Sequence, residues 1–442
     1  MHKKKNSLKL VHIIFSIFLV TIFSSCSKKD NRIVIWTSSS EFAPYIELFN
    51  SQHKTKAVLV YKDNTADALP PANDELKPDI VLGSYLRNNK TKKYFDSIDY
   101  LFDRQIISTD DFYPALRKAG EISHKQYLLP VSFNLPLVLF SLENKDFVKN
   151  DYTISLEQIK TTGTDFIKKN KKGNFTRIGF APQSNKDFLY TTTRLFDAKF
   201  KQYKTNDFTY NKQALENAIK YITEWIKTEH GSIQTESDFV YKYLSLVDSK
   251  KVFSGRTLYT YTTSNKLFQL PSDQLAKMDF RWIKNNEQIP VEDSMTMMGI
   301  SKWATNYAGA VEFIEWFYST ATQKTILEQK SHFQPNTIEF GIVGGFSAVK
   351  EVNEKILPTF YTKLLSNIPS HEAFYVSEPK SSHWEKIKDK VIIPYIQDSI
   401  NIQEGQTLKF AYPDGNLSFY KNAISAGNEL TGIAEDGQYT LD

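Results

Sequence analysis

Residues 32–50 read RIVIWTSSSEFAPYIELFN, and the order of polar and apolar residues within them indicates the fold class. The run from Arg32 to Trp36 is short and almost wholly apolar, as expected of a strand that is buried on both faces of a parallel sheet. After a polar loop, apolar side chains recur at helical spacing, at Phe42, Tyr45, Ile46 and Phe49. The stretch therefore predicts a strand, a loop and a helix, which is the beginning of a βαβ unit.

Two further apolar runs follow, at residues 57–61 and 80–82, so the opening of the chain has the pattern of a parallel α/β sheet. In such sheets ligands bind at the carboxyl ends of the strands. We therefore expect ligand contacts just past the strand ends, at residues 37–41, 83–85 and 132–134.

Two short β-like runs, at residues 127–131 and 137–140, are separated by Ser-Phe-Asn-Leu-Pro and predict a crossing between two lobes. Residues 211–228 and 307–329 each carry an apolar stripe at helical spacing and predict amphipathic helices. No repeat or clear linker divides the chain into sequential domains. This organisation favours two discontinuous lobes.

The composition is that of a soluble protein, with 442 residues, 41% hydrophobic and 24% charged. The formal net charge is +5, but the N-terminal leader contributes four lysines and no acid, at Lys3, Lys4, Lys5 and Lys9. Lysines and acids are interspersed along the rest of the chain, so no basic face for a nucleic-acid partner is expected.

Residues 1–25 have a positive start, an apolar run from Leu10 and small residues before Cys26, which is the layout of a secretory signal peptide. The segment Phe23-Ser24-Ser25-Cys26 resembles the bacterial lipobox, which implies an acylated Cys26 as the new N-terminus and residues 26–31 as a lipidated tether. An uncleaved anchor helix is the alternative reading. Both readings predict an exported protein held at the outer face of the cell membrane or in the periplasm.

Several kinds of chemistry have no support in the sequence. One cysteine excludes intramolecular disulfides and thiolate metal sites, and the eight histidines are scattered singly, so we expect no metal and no cofactor. The glycine-rich nucleotide motifs and the Gly-x-Ser-x-Gly motif of serine hydrolases are absent. Paired carboxylates for glycoside hydrolysis stay open at this point, because only their separation in space would identify them.

Seven short segments occur in an order that resembles one family. They are residues 36–50, KPDI at 77–80, LPVS at 129–132 followed by LVLF at 137–140, FSGR at 253–256, MGISKWATN at 298–306 with 310–317, GGFSAV at 344–349, and 384–396. In this order they resemble the extracellular solute-binding proteins of family 1, the carbohydrate-binding subunits of ABC importers related to maltose-binding protein. The resemblance implies a two-lobe periplasmic-binding-protein fold of type II, with a hinge, a ligand cleft between the lobes and no catalysis. It also implies delivery of the ligand to a membrane permease.

The predicted boundaries follow from the resemblance and the pattern together. Lobe 1 comprises residues 32–135 and 292–330, and lobe 2 comprises 136–291 and 331–403. Residues 404–442 form a C-terminal extension, in which a β-hairpin is predicted around the tight turn at 413–416.

A sugar site needs aromatic rings for the C–H faces of the sugar and planar polar groups for its hydroxyls. The candidates that the resemblance implies, at or near predicted strand ends, are Trp36, Ser39, Glu41, Ser84, Tyr85, Phe133, Asn134, Ser184, Asn185, Thr262 and Phe346. We expect Trp36 or Tyr85 in the cleft wall. The alternatives are a receptor for a polyamine, phosphorylated compound or peptide, a surface glycosidase, and an adhesin with a filled cleft.

The lipobox reading predicts that Cys26→Ser prevents acylation. Metabolic labelling with a fatty acid should mark the native protein and leave the variant unlabelled, because the single cysteine is the only acceptor of this kind. A matched Ser27→Ala control should stay labelled. Equal labelling of native protein and Cys26→Ser would contradict the prediction.

Overall fold

The computed structural model describes residues 31–88, 90–148, 151–204, 207–331 and 339–403. The predicted signal peptide, Cys26 and the C-terminal extension lie outside these ranges. The principal strands are β1 (Arg32–Thr37), β2 (Lys56–Tyr61), β3 (Ile80–Ser84), β4 (Leu129–Phe133), β5 (Pro136–Ser141), β6 (Thr153–Ser155), β7 (Thr260–Thr263), β8 (Met278–Lys284), β9 (Thr296–Ile300) and β10 (Phe346–Ser347).

The longer helices are α1 (Ala43–Gln52), α2 (Leu156–Phe166), α3 (Lys186–Leu195), α4 (Lys212–His230), α5 (Ile233–Lys242), α6 (Tyr307–Tyr318), α7 (Thr320–Ser331) and α8 (Ile393–Gln403). Shorter helices include Asp99–Asp103, Pro114–Ala119, Asp248–Phe253, Ser264–Leu267, Ser272–Leu275, Leu357–Phe360 and Trp384–Ile387. No helix in the described ranges is both long and apolar enough to span a membrane.

Two sheets define two lobes. The first sheet has the order β10-β4-β9-β3-β1-β2, with β1 parallel to β2 and β3, and β9 antiparallel to β3 and β4. The second sheet has the order β7-β5-β8-β6. Because β4 lies in the first sheet and β5 in the second, the predicted crossing between lobes is confirmed. The chain crosses back between β8 and β9.

The second sheet has an apolar layer on both faces because its strands alternate. In β5, Val138 and Phe140 pack into the core of the second lobe with Trp225, whereas Leu137 and Leu139 belong to the large core that the first lobe shares. Trp282 of β8 reaches this shared core and contacts Phe346 of β10, with ring centroids 5.7 Å apart. The two lobes are thus joined by packed side chains as well as by the backbone.

The predicted boundary at residue 331 is wrong. Residues 346–347 form β10 at the edge of the first sheet, paired with β4, and Val352 and Leu357 pack in the large core. The end of the segment, from Trp384 to Ile400, packs with α4 in the second lobe. The prediction failed because a two-residue strand shows no period, so its partner strand cannot be identified from local pattern.

The predicted helix at 211–228 corresponds to α4, but the predicted helix at 307–329 is two helices. Ser319 has extended backbone angles, φ −64° and ψ 128°, and separates α6 from α7. The apolar stripe continues across this break, which is why the sequence reads as one helix.

The buried carboxylate of Asp79 joins three elements of the first lobe. Its Oδ2 accepts a hydrogen bond from the Val34 amide of β1 at 2.7 Å. Its Oδ1 accepts from the amides of Thr305 and Asn306, at 2.6 and 2.9 Å, just before α6. The KPDI and MGISKWATN segments, which are far apart in the sequence, therefore meet at one side chain that is 1% exposed.

Asp79→Ala should lower the free energy of unfolding by about 2–4 kcal/mol, because it leaves the buried Val34 amide and the part-buried amides of Thr305 and Asn306 without their charged acceptor. Urea denaturation followed by tryptophan fluorescence measures this change. The exposed Asp74 provides the control, since Asp74→Ala removes the same charge from the surface nearby. A loss below about 1 kcal/mol for Asp79→Ala would contradict this role.

Candidate ligand-binding cleft

A polar cleft of about 260 Å³ lies at the edge of the first sheet that faces the second lobe. Ser38 and Ser39 follow β1, Gly83 and Ser84 end β3, and Ser132 and Asn134 lie at the end of β4; all of them line the cleft. Thr296 begins β9 and pairs in register with both Ser84 and Ser132, because β9 runs antiparallel between β3 and β4. One edge of the sheet thus gathers hydroxyl and amide groups from four strands.

The opposite side of the cleft comes from the second lobe and from the segment before β10. Asn265 lies in the short helix Ser264–Leu267 after β7 and Gln269 in the turn that follows it, and Glu339, Val343 and Gly344 come from the chain that leads into β10. Among the described lining residues Glu339 is the only one that carries a charged group, and none is aromatic. The cleft therefore offers hydrogen bonds with little charge.

The hydroxyl of Ser39 is buried in this wall and finds no hydrogen-bond partner in the described part of the chain. The Thr65 hydroxyl behind Gly83 is also buried and also finds no hydrogen-bond partner among the described residues. A buried polar group without a partner is costly, so such groups mark places where a ligand or water completes the bonding. A side chain at Gly83 would meet the Thr65 Oγ1 at 2.0 Å, which explains the glycine at the cleft floor.

Glu41 forms part of the wall behind the cleft and does not line it. Its Oε1 accepts a hydrogen bond from the Glu339 amide at 2.7 Å, and its Oε2 lies 3.4 Å from the ammonium of Lys330. Burial raises the pKa of the Glu339 carboxyl, and the negative charge of Glu41 raises it further. Glu41 therefore positions Glu339 and does not make the direct ligand contact that was predicted for it.

The structure brings together three of the predicted site residues, Ser39, Ser84 and Asn134. The Asn134 amide donates to the Gly344 carbonyl at 2.9 Å and accepts from the Ser264 hydroxyl at 2.6 Å. The Asn134 carbonyl also accepts from the Glu292 amide at 2.9 Å. Asn134, at the first crossing, is therefore bonded to the second crossing at Glu292, to Ser264 of the second lobe and to the segment before β10.

The predicted aromatic contacts are in the core and not in the cleft. Trp36 is completely buried, its indole N–H donates to the Leu76 carbonyl at 3.0 Å, and the Lys62 ammonium lies 4.2 Å from its ring. Phe133 and Phe346 are each 2% exposed and face one another on paired strands, with centroids 5.5 Å apart. Their strands are covered on both faces, so position along the strand does not expose them.

The predicted second-lobe contacts also lie away from the cleft. The Ser184 hydroxyl donates to the Ala181 carbonyl at 2.9 Å, and the Asn185 side chain caps α3 by accepting from the Phe188 amide at 3.0 Å. Both line a separate small pocket within the second lobe. Thr262 pairs with Leu137 inside the second sheet.

Tyr85 lies at a second contact between the lobes. Its backbone has φ +60°, and its hydroxyl donates to the Glu385 carboxylate of the second lobe. Burial raises the pKa of Tyr85, and the negative charge of Glu385 raises it further. Beside it, the Arg87 guanidinium donates to the Ser377 carbonyl. We interpret these bonds as a latch between the lobes.

A buried charged cluster lies at the second crossing, next to this latch. Arg194 lies 3.8 Å from the Glu292 carboxylate and 3.7 Å from that of Asp293. Burial raises the pKa of Glu292 to about 7, although Arg194 opposes the shift. Burial acts in the same direction on Asp293, but the charge of Arg194 and the hydrogen bond from Tyr190 outweigh it and lower the pKa to about 2.

Sequence reasoning missed Ser294, Thr296, Asn265, Gln269 and Glu339. Asn265 and Gln269 come just after β7, where ligand contacts are expected in a sheet of this kind. The sequence prediction named Thr262 instead, which still lies within β7. Predicting Ser294 and Thr296 would have required knowing that β9 runs antiparallel to β3, which no local signal gives.

In the described residues no group of three His, Cys, Asp or Glu side chains could hold a metal ion.

No protein-family model and no curated protein matches this sequence. Solved structures are similar to it over most of their length. The sugar-binding protein MalE of Xanthomonas citri has a TM-score of 0.64 at 11% identity, covering 89% of this chain and 96% of the other. An ABC substrate-binding protein of Listeria monocytogenes in complex with cycloalternan has a TM-score of 0.58 at 12% identity, covering 90% and 99%.

The cyclic alpha-maltosyl-1,6-maltose binding protein of Arthrobacter globiformis is also similar, with a TM-score of 0.58 at 12% identity, covering 89% of this chain and 98% of the other. These similarities establish the class of fold. The chain has the two-lobe α/β fold of MalE-like periplasmic binding proteins, as the sequence predicted.

The Glu292 environment predicts a measurable pH dependence. A carboxyl whose pKa rises from 4.5 to about 7 on folding destabilises the fold increasingly as pH rises through that window. Glu292→Gln removes this contribution. The difference between the melting temperatures of the variant and of native protein, variant minus native, should therefore increase from pH 5 to pH 8. Glu287→Gln, at a side chain 85% exposed, is the control and should give a pH-independent offset. Parallel curves for Glu292→Gln and native protein would contradict the assignment.

Proposed function

We propose that this protein is the substrate-binding component of an ABC importer and that it binds a neutral, hydroxyl-rich solute, a sugar or oligosaccharide, between its lobes. The observation that carries the proposal is the composition of the cleft: hydroxyls and amides from both lobes, including the unpartnered Ser39 hydroxyl, with a single carboxylate. Polyhydroxylated solutes satisfy such groups by hydrogen bonding.

The alternatives fit this cleft less well. A polyamine would need several carboxylates and a phosphorylated compound would need arginine or lysine, but the described lining has one carboxylate and neither cation. A glycosidase needs two carboxyls facing one another across the site. Glu41, the carboxylate near Glu339, is instead occupied by the Glu339 amide and Lys330. The open volume argues against an adhesin with a filled cleft.

The similar structures support the same class of ligand, since they include a sugar-binding protein and receptors of a cyclic maltosyl-maltose and of cycloalternan. We propose that Cys26 carries the lipid anchor, that the protein works at the outer face of the cell membrane, and that it delivers its ligand to a membrane permease. No bond of the ligand is broken in this function.

The geometry explains how binding would change the protein. Ser39 and Ser84 lie on the first lobe, while Asn265 and Gln269 lie on the second. A solute that bonds to both sides is held more tightly when the lobes are close, so it shifts the population toward the closed state by the difference in affinity. The permease would then receive a surface formed by both lobes.

A thermal-shift screen of the purified protein against sugars, polyols, amino acids, polyamines and sugar phosphates tests the proposal. A ligand that binds only the folded state adds about 2.7 kcal/mol of stability at one hundred times its dissociation constant. We expect an upward shift with at least one neutral sugar and none with polyamines or sugar phosphates.

Ser39→Ala and Gln269→Ala should each weaken that binding by roughly two- to tenfold, because each removes one hydrogen bond to a neutral ligand. Ser51→Ala and Gln213→Ala, at exposed helical positions, are the matched controls and should bind like native protein. A shift only with a charged solute, or unchanged binding in both cleft variants, would overturn the proposal.

A further inference from the structure

An apolar patch lies on the second lobe, at the end of α5 and in the turn that follows it. Among the described residues, the three most exposed large hydrophobic side chains are Tyr241, Leu244 and Val247, which are 78%, 67% and 62% exposed. They recur every third residue, and the Leu244 amide still donates to the Tyr241 carbonyl at 3.1 Å, so the three side chains lie along one side of a continuing helical turn. We call them the α5 patch. Exposed apolar side chains that are gathered in this way mark a contact surface, whereas single ones do not.

The surroundings of the α5 patch are basic. Lys242 and Lys250 are both exposed beside it. The neighbouring acid, Asp248, is already paired with Lys251, whose ammonium lies 3.0 Å from its carboxylate. The patch therefore suits a partner that is apolar and acidic.

The last described helix ends close to α5. Asn401, in the last turn of α8, accepts a hydrogen bond from the Gln183 side chain at 3.4 Å, and the Gln183 amide donates to the Glu236 carboxylate of α5 at 3.0 Å. Tyr241 follows Glu236 by only about 8 Å along the axis of α5, at the rise of 1.5 Å per residue. The chain that continues from α8 therefore starts on the same lobe as the α5 patch and is long enough to reach it.

The sequence of residues 404–442 has the chemistry that the α5 patch requires. It contains six acidic residues and two lysines. Apolar side chains occupy every second position on both sides of the predicted turn at 413–416: Leu408, Phe410 and Tyr412 before it, and Leu417 and Phe419 after it. A two-stranded hairpin is marginally stable in water unless its apolar face packs on another surface. The predicted hairpin thus needs an apolar surface, and the α5 patch offers one.

We propose that residues 404–442 dock on the second lobe and cover the α5 patch, with their acidic side chains near Lys242 and Lys250. A tethered segment reaches such a surface at an effective concentration on the order of millimolar, which favours it over a partner that must diffuse to the patch. The C-terminal extension then shields the patch from lipid and from other copies of the chain. This inference is independent of the ligand proposed above.

Photo-cross-linking from the patch tests the proposal in the full chain. With Cys26→Ser and Leu244→Cys the chain has one cysteine, which is labelled with benzophenone maleimide and irradiated. Peptide mapping by mass spectrometry should find the cross-links within the same molecule, on residues 404–442. Leu365→Cys in the same background is the matched control, because Leu365 is 59% exposed and follows Leu364 of the large core; it should give no cross-link to these residues. Cross-links from Leu244→Cys only to a second copy or to lipid, or none to residues 404–442, would overturn the proposal.

Limited proteolysis provides a second measurement that needs no label. Leu244→Asp, in a chain otherwise native, should raise the rate of chymotrypsin cleavage within residues 404–442 by roughly three- to tenfold, because cleavage follows the population of the undocked segment. Leu365→Asp should leave the rate as in native protein. An equal cleavage rate in Leu244→Asp and native protein would also overturn the proposal, whatever sugar the cleft binds.

Discussion

The buried carboxylate of Asp79 is the constraint on which the geometry of the first lobe depends. It fixes the beginning of β3 against the middle of β1 and against the chain entering α6. Once those starting points are set, the carboxyl ends of β1 and β3 must lie side by side, and Ser39 and Ser84 stand there. The position of the cleft therefore follows from hydrogen bonds made at the other end of the same strands.

The sequence allowed accurate prediction wherever the signal was local. The run at Arg32 to Trp36, the helix after it and the crossing between β4 and β5 all have short-range patterns, and three residues named near strand ends, Ser39, Ser84 and Asn134, line one cleft. It was not sufficient where pairing is long-range. The edge strand β10 is too short to show a period, and whether Trp36 is exposed depends on what covers the sheet. The prediction that Glu41 contacts the ligand did not hold for a related reason, because the partners of its carboxylate are almost 300 residues away in the sequence.

The fate of the aromatic residues shows how composition misleads about recognition. Trp36, Phe133 and Phe346 were candidates because sugars stack on rings, yet these rings pack the cores of the lobes. The cleft itself is lined by hydroxyls and amides, and none of its described lining residues is aromatic. The described cleft thus offers hydrogen bonds, whereas the rings that sequence composition suggested for stacking stabilise the core.

The order of the first sheet also governs when this lobe can form during synthesis. β9, at residues 296–300, lies between β3 and β4, which do not pair with one another without it. Roughly two thirds of the chain must therefore emerge before the sheet is continuous, and the second lobe's strands emerge in the meantime. Such late, non-local closure is slow to nucleate. A nascent chain built this way can complete its first sheet only after most of its residues have left the ribosome.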